Sequence, residues 1–430
     1  MLNVEAIMKR HYLLTYVFIG IAILSAIIFY MSTDRLTYSK SLNNESDLVT
    51  IRFSSSWAGL DSKAAYLERV IAAFEEENPG IRIMNESMYG EDFLFTLKAD
   101  FASGNGPDVF GVWPGSDLDL LIENGMVADL KEVLDQDETW SSNFDSSIFE
   151  FMDQGDHIYS IPFEVIYEGL YYNKDLFEDF EVDIPYDYES LLEAVRAFKK
   201  KGIIPIAYNM TPEGSFIYQN IVVQLAGVEG TENPLKNGQV EDGYIEAMYK
   251  MRELYQMGAF PRNALNFDDA SRNMLFIDKR AAMIVQGSWF NSGALDESVG
   301  LIPFPMKDDK YVIYGIGNGN FHMNQNTYDD PVKKQAALKF LKYLTSESGR
   351  RIFNESPSFI GTRTSEDDDY LKVQGLKLIE DADYLVKPPD HFINRTFWEN
   401  VLIKDFPAML EGEISPEEIF DKLHDYQEED

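Results

Sequence analysis

Between Leu48 and Trp113 the sequence switches repeatedly between two-residue and helical periods, and this alternation constrains the fold more than any other feature. Leu48 to Ser54 alternates as a strand does, whereas Ser62 to Asn78 sets Ala65, Leu67, Val70, Ile71 and Phe74 at helical spacing and stops at Asn78-Pro79-Gly80. Ile81 to Ser87 reads as a second strand, Asp92 to Ser103 as a helix, and Asp108 to Trp113 as a third strand, apolar after its first residue. Such a β-α-β-α-β run predicts an α/β fold with a mainly parallel sheet, helices on both faces and ligand sites beyond the carboxyl ends of the strands. Trp57 and Trp113 both follow predicted strands.

Further strands are expected at Ile158 to Pro162, Leu170 to Tyr172, Ala281 to Gln286 and Leu301 to Pro303. Helices are expected near Tyr188 to Lys201, Phe216 to Ala226, Tyr244 to Gln256 and Ser271 to Asp278, which makes a second α/β lobe. From Asp330 to Asp430 the pattern is mainly helical. At 430 residues the chain is longer than a single core usually serves, and its 45% hydrophobic and 13% aromatic content is that of a folded protein.

The chain has no cysteine, which removes disulfides, thiolate nucleophiles and sulfur-ligated metals. Its formal charge of −36 repels phosphate backbones, so nucleic acid is a poor partner. Leu13 to Met31 carries no charge and matches a hydrocarbon core of about 30 Å. Lys9, Arg10 and His11 precede it, which puts residues 1–12 in the cytoplasm, residues 13–31 across the membrane, and the remainder outside after a polar tether over 32–47. The segment reads as an uncleaved anchor, since the only cleavage-like triplet, Leu24-Ser25-Ala26, lies inside it; cleavage would instead release a secreted form.

Several stretches, in order, resemble the family 1 extracellular solute-binding proteins, the group that includes maltose-binding protein: VIAAFEEENPGIRI at 70–83, ASGNGPDVFGVW at 102–113, ENGMVADL at 123–130, IPFEVIYEGLYYNKDLF at 161–177, FIDKRAAMIVQGSW at 276–289 and AALKFLKYLTSESGRRIF at 336–353. The resemblance implies a two-lobed periplasmic-binding-protein-like fold of type II. Lobe I would comprise residues 48–163 with 320–358 and lobe II residues 164–319 with 359–430, joined by crossovers near Phe163, Asn320 and Phe359. It also implies a carbohydrate ligand, the permease subunits of an ABC importer as partners, and neither cofactor, metal nor catalytic residue. The lipid-bearing cysteine usual in bacterial members is missing, which leaves attachment to the N-terminal helix. Many landmarks have a scaffold reading as well, and Asp108 and Tyr172 sit in apolar strand contexts that favour a structural role.

A sugar presents C–H groups on its ring faces and hydroxyls round its edge, so its site needs flat aromatic platforms and a few placed polar groups. Of five tryptophans, the resemblance places Trp57, Trp113, Trp289 and Trp398 at the cleft. Trp289 follows a strand in Gln286-Gly287-Ser288-Trp289, where related sugar binders stack an aromatic on the ligand. Trp398 resembles a late aromatic of maltose-binding protein, and helical spacing from Phe392 equally explains a core contact. Glu164 falls where the family's chain crosses between lobes, as either a hydroxyl acceptor or a solvated hinge residue, and Asp117 and Arg363 are further polar candidates or plain surface charges. The expected function is capture by hinge closure for import. A sensory ectodomain reporting to a kinase uses the same capture. A glycoside hydrolase requires two carboxylates at a set separation, which spacing along a chain does not reveal.

Overall fold

The computed structural model describes residues 48–426 apart from 60, 91, 145, 153–154, 237, 292, 294, 308 and 363–368. The apolar segment Leu13 to Met31 and its flanks therefore lie outside the described residues, among which no helix is long and apolar enough to cross a membrane. Ile51–Phe74 with Ile83–Asp430 constitute one compact unit. The described part of the other, residues 48–50 and 75–82, contains the Asn78-Pro79-Gly80 turn, whose Gly80 carbonyl accepts from the Val49 N–H at 3.0 Å.

In chain order the strands are β1 (Val49–Ser54), β2 (Ile81–Asn85), β3 (Val109–Gly111), β4 (Ile161–Pro162), β5 (Val165–Asn173), β6 (Ile204–Ala207), β7 (Leu235–Lys236), β8 (Gln239–Val240), β9 (Ala281–Gly287), β10 (Val299–Ile302), β11 (Tyr311–Ile316), β12 (Asn320–Met323) and β13 (Tyr384–Val386). One sheet has the order β2-β1-β3-β12-β4, a second the order β13-β11-β5-β9-β6 with β10 also on β5, and β7 pairs β8 alone.

Both large sheets are mixed, which corrects the expectation of mainly parallel ones. β1 and β3 are parallel, but β12 is antiparallel to β3 and to β4. β5 is antiparallel to β9, β10 and β11, while β6 with β9 and β11 with β13 are parallel. Parallel neighbours need a crossover connection, which intervening helices supply between β1 and β3, β6 and β9, and β11 and β13, whereas β10 and β11 return to β5 in antiparallel register.

β5 spans nine residues, all buried, and so outgrows the short strand expected at Leu170 to Tyr172. Its side chains alternate between two cores. Leu170 and Tyr172 pack with Leu191, Val195, Phe198 and Ile221, whereas Val165, Tyr167 and Tyr171 face Phe276, Phe290, Leu371 and Leu378. Two covered faces account for its near-continuous apolar run. The helix expected at Phe216 to Ala226 continues to Glu232, with a break at Gly227, whose φ of 67° suits glycine. β11 and β12, spaced by Gly317 and Gly319, are additions from the structure, and β13 interrupts a stretch expected to be mainly helical.

Candidate ligand-binding site

The chain passes between the two large sheets at Phe163–Glu164 and again at Gly317–Gly319. Beside these passages lies a cavity of about 200 Å³, whose lining includes Trp57, Trp113, Glu164 and Trp289.

The first wall comes from the loop after β1. Trp57 is 1% exposed, packed edge-on against Phe321 at 5.7 Å and tilted against Phe353 at 5.0 Å, and its buried indole Nε1 has no hydrogen-bond partner among the described residues. Lys63, also buried, stands 3.0 Å from Glu164 Oε1 and 3.8 Å from Asp61 Oδ1. Burial pulls the Lys63 ammonium down, but Asp61 and Glu164 outweigh it and hold it above its ordinary value. Burial likewise pushes the Glu164 carboxyl up, opposed by Lys63 and by the Gly319 N–H, which donates to Oε2 at 3.0 Å. A Cβ at Gly319 would fall 2.5 Å from Glu164 Cβ, so this passage tolerates only glycine. Glu164 is therefore a buried, partnered group and not a solvated hinge residue.

The second wall is the end of β9. Trp289 folds back over Gly287, where an added Cβ would lie 2.2 Å from the indole ring, and Phe216 meets the indole at 5.4 Å, edge-on. Next to them Glu213 Oε2 accepts from Arg272 Nη2 at 2.7 Å and from Gln286 Nε2 at 3.1 Å. Burial raises the Glu213 carboxyl and Arg272 opposes it. Arg272 itself is 1% exposed, with Asn209 Oδ1 accepting at 3.2 Å, so it fixes Glu213 from behind the wall.

Trp113, part-buried against Phe93 at 6.5 Å, lines the cavity near Asp390, His391 and Arg395. Asp117 does not line the main cavity. It stands in the first turn of the helix Ser116–Glu123, paired to Lys98 at 2.9 Å, and borders a small adjoining crevice shared with Trp113, Asp390, His391 and Arg395. Glu168, 2% exposed on β5, lines the cavity and accepts from Asn220 Nδ2 at 2.8 Å through Oε2.

Trp398 is placed elsewhere: fully buried, it packs against Tyr218 at 5.9 Å inside the larger core, as helical spacing allows. Arg363 lies outside the described residues. Asp108 is scaffold, accepting from the Arg52 N–H at 2.8 Å and from Thr327 Oγ1 at 2.6 Å. Tyr172 is a core residue. Sequence reasoning missed Asp61, Lys63, Tyr89, Glu168, Glu213, Asp390, His391 and Arg395. Only Glu168 carried a signal, as a charge within an otherwise apolar strand pattern. Among the described residues no group of His, Asp or Glu is arranged to hold a metal ion. What the cavity offers is aromatic faces and fixed acceptors and donors, the equipment of reversible binding.

An α/β chain of two mixed sheets, with a polar and aromatic cavity where it passes between them, has the architecture of a two-lobed binding protein. Residues 57–351 match the family described as bacterial extracellular solute-binding protein, and the chain belongs to that family. A multiple sugar-binding protein of Streptococcus mutans is 25% identical over 325 residues, 72% of this chain and 74% of that protein. A structure solved in work on xylan utilization by the thermophilic bacterium Caldanaerobius polysaccharolyticus shares the fold at a TM-score of 0.78, with 20% identity, covering 88% of this chain and 100% of that one. A chitin oligosaccharide binding protein does so at 0.77, with 21% identity and coverage of 88% and 98%.

Proposed function

We propose that this protein captures a carbohydrate outside the cell by closing two lobes upon it, and passes it to the permease of an ABC importer. The lobes would be residues 48–163 with 320–358 and residues 164–319 with 359–430, turning about the passages beside Glu164 and Gly319. Ligand favours the closed state by binding it better.

The observation that carries this reading is the cavity wall itself: Trp57, Trp113 and Trp289 offer aromatic surface, and Glu164 and Glu213 are fixed carboxylates placed to accept paired hydroxyls. Family membership and the sugar-binding relatives support it. We assign the N-terminal segment Leu13 to Met31 as a single-pass anchor that holds the body on the outer face of the membrane.

A thermal-shift screen of the full-length protein against mono- and oligosaccharides tests capture, because a ligand that binds only the folded state raises the unfolding midpoint. A saturable rise with one sugar class is the expected result. No rise across a broad panel of folded protein and sugars would reject the carbohydrate reading.

A further inference from the structure

Among the described residues, five carboxyl side chains line the cavity: Asp61, Glu164, Glu168, Glu213 and Asp390. Four of them have a cation close by. Lys63 serves Asp61 and Glu164, Arg272 stands 2.7 Å from Glu213, and Arg395 stands 3.6 Å from Asp390. Glu168 has none among the described residues, although it is 2% exposed. Its one described hydrogen bond, from Asn220 Nδ2, occupies Oε2 and leaves Oε1 for whatever enters the cavity.

A buried carboxyl without a counter-ion is stable only as the neutral acid or when an incoming cation pairs with it. Burial pushes the Glu168 carboxyl well above the usual range, with Asp390 adding to the effect and Asn220 opposing it, which favours the neutral form over an unpaired carboxylate. The neighbouring charges do not supply what is missing. Arg395 is committed to Asp390 and, at 2.5 Å, to Glu399, and burial lowers the His391 imidazole toward its neutral form. Asp390, His391 and Arg395 also lie beyond residue 351, where the family match ends, so this corner of the cavity is built partly by chain outside the matched region.

Building on the carbohydrate reading above, we infer that Glu168 is a specificity-determining residue that selects a sugar carrying a protonated amine over its neutral and acidic counterparts. The ammonium takes the place of the missing counter-ion, displaces the Glu168 proton to solvent and forms a charge-assisted hydrogen bond with Oε1. A uronic acid at the same position brings no cation to Glu168 and finds Arg272 and Arg395 already beside Glu213 and Asp390.

The test uses the full-length protein and matched sugars: glucosamine and galactosamine with their hydroxyl parents, glucosamine oligomers with cello-oligosaccharides of equal length, and oligogalacturonides. Affinities are read by titration calorimetry in two buffers of different ionisation enthalpy. At least one amine should bind about tenfold or more tightly than its hydroxyl partner, with proton release at neutral pH. Glu168→Gln, which keeps an acceptor for Asn220, should bring the amine to within about twofold of the hydroxyl sugar. Equal or weaker binding of every amine, or a preference that survives Glu168→Gln, overturns the inference and leaves the carbohydrate reading standing. No binding by any member rejects both.

Discussion

Trp289 and Trp398 both belong to the part of the chain that contains the second sheet, and both are read from sequence as platforms for a ligand. In the structure Trp289 lines the cavity, whereas Trp398 is sealed among Tyr218, Leu402 and Phe406. The difference lies in what precedes each ring. Trp289 leaves the end of a strand, where the glycine at 287 clears the space for the indole to turn back over the backbone. Trp398 opens a helical run in which Leu402, Phe406 and Leu410 recur every four residues, so its face is the core face. An aromatic at a strand end is free to serve a ligand, and one in register with an apolar helix face is already used.

Four substitutions test that contrast. Trp398→Ala should be the most damaging to the fold, costing about 3–5 kcal/mol in urea or thermal unfolding, because it empties a large fully buried site; a loss below 1 kcal/mol would remove the distinction. Next in size is a pH effect in the scaffold. Burial holds the His322 imidazole down at about 4, so it stays neutral when folded and takes up its proton only on unfolding. Its contribution is full above about pH 6.5 and lost as pH falls toward 4, amounting to about 3 kcal/mol. The wild-type minus His322→Gln difference in unfolding free energy should fall over that interval, and Trp289→Ala should leave the wild-type slope unchanged.

Trp289→Ala should lower affinity for a sugar found by the screen about thirtyfold, roughly 2 kcal/mol, with little change in unfolding midpoint. The converse result, lost stability and kept affinity, would move Trp289 to the same side as Trp398. Gly287→Ala should have the smallest effect, about fivefold in affinity or ~1 kcal/mol, by pushing the indole off its seat. Calorimetric titration with the same sugar measures both, and unaltered affinity in Gly287→Ala would show that the ring needs no such clearance.

The split between what was legible and what was not has the same origin. Helices such as Ala64–Glu77 and Tyr188–Lys201 fall within two residues of their expected limits, because a buried stripe at helical spacing and a terminating Gly are local properties. β5 was harder to delimit. Glu168 and Gly169 interrupt its apolar run, and only burial on both faces shows why the run is a strand at all.

The amino-acid sequence by itself determined the α/β alternation, the uncharged N-terminal segment, the acidic balance and the family, together with three of the four tryptophans that line the cavity or could have done so: Trp57, Trp113 and Trp289. Those properties are written in short windows of residues and in composition. Tertiary structure alone decided strand direction, the burial of Trp398, and the meeting of Lys63 with Glu164, of Glu213 with Arg272 and of Glu168 with Asn220. Each of these joins residues far apart in the chain, and whether a charge finds a partner in a low-dielectric cavity depends on distances that no local pattern encodes.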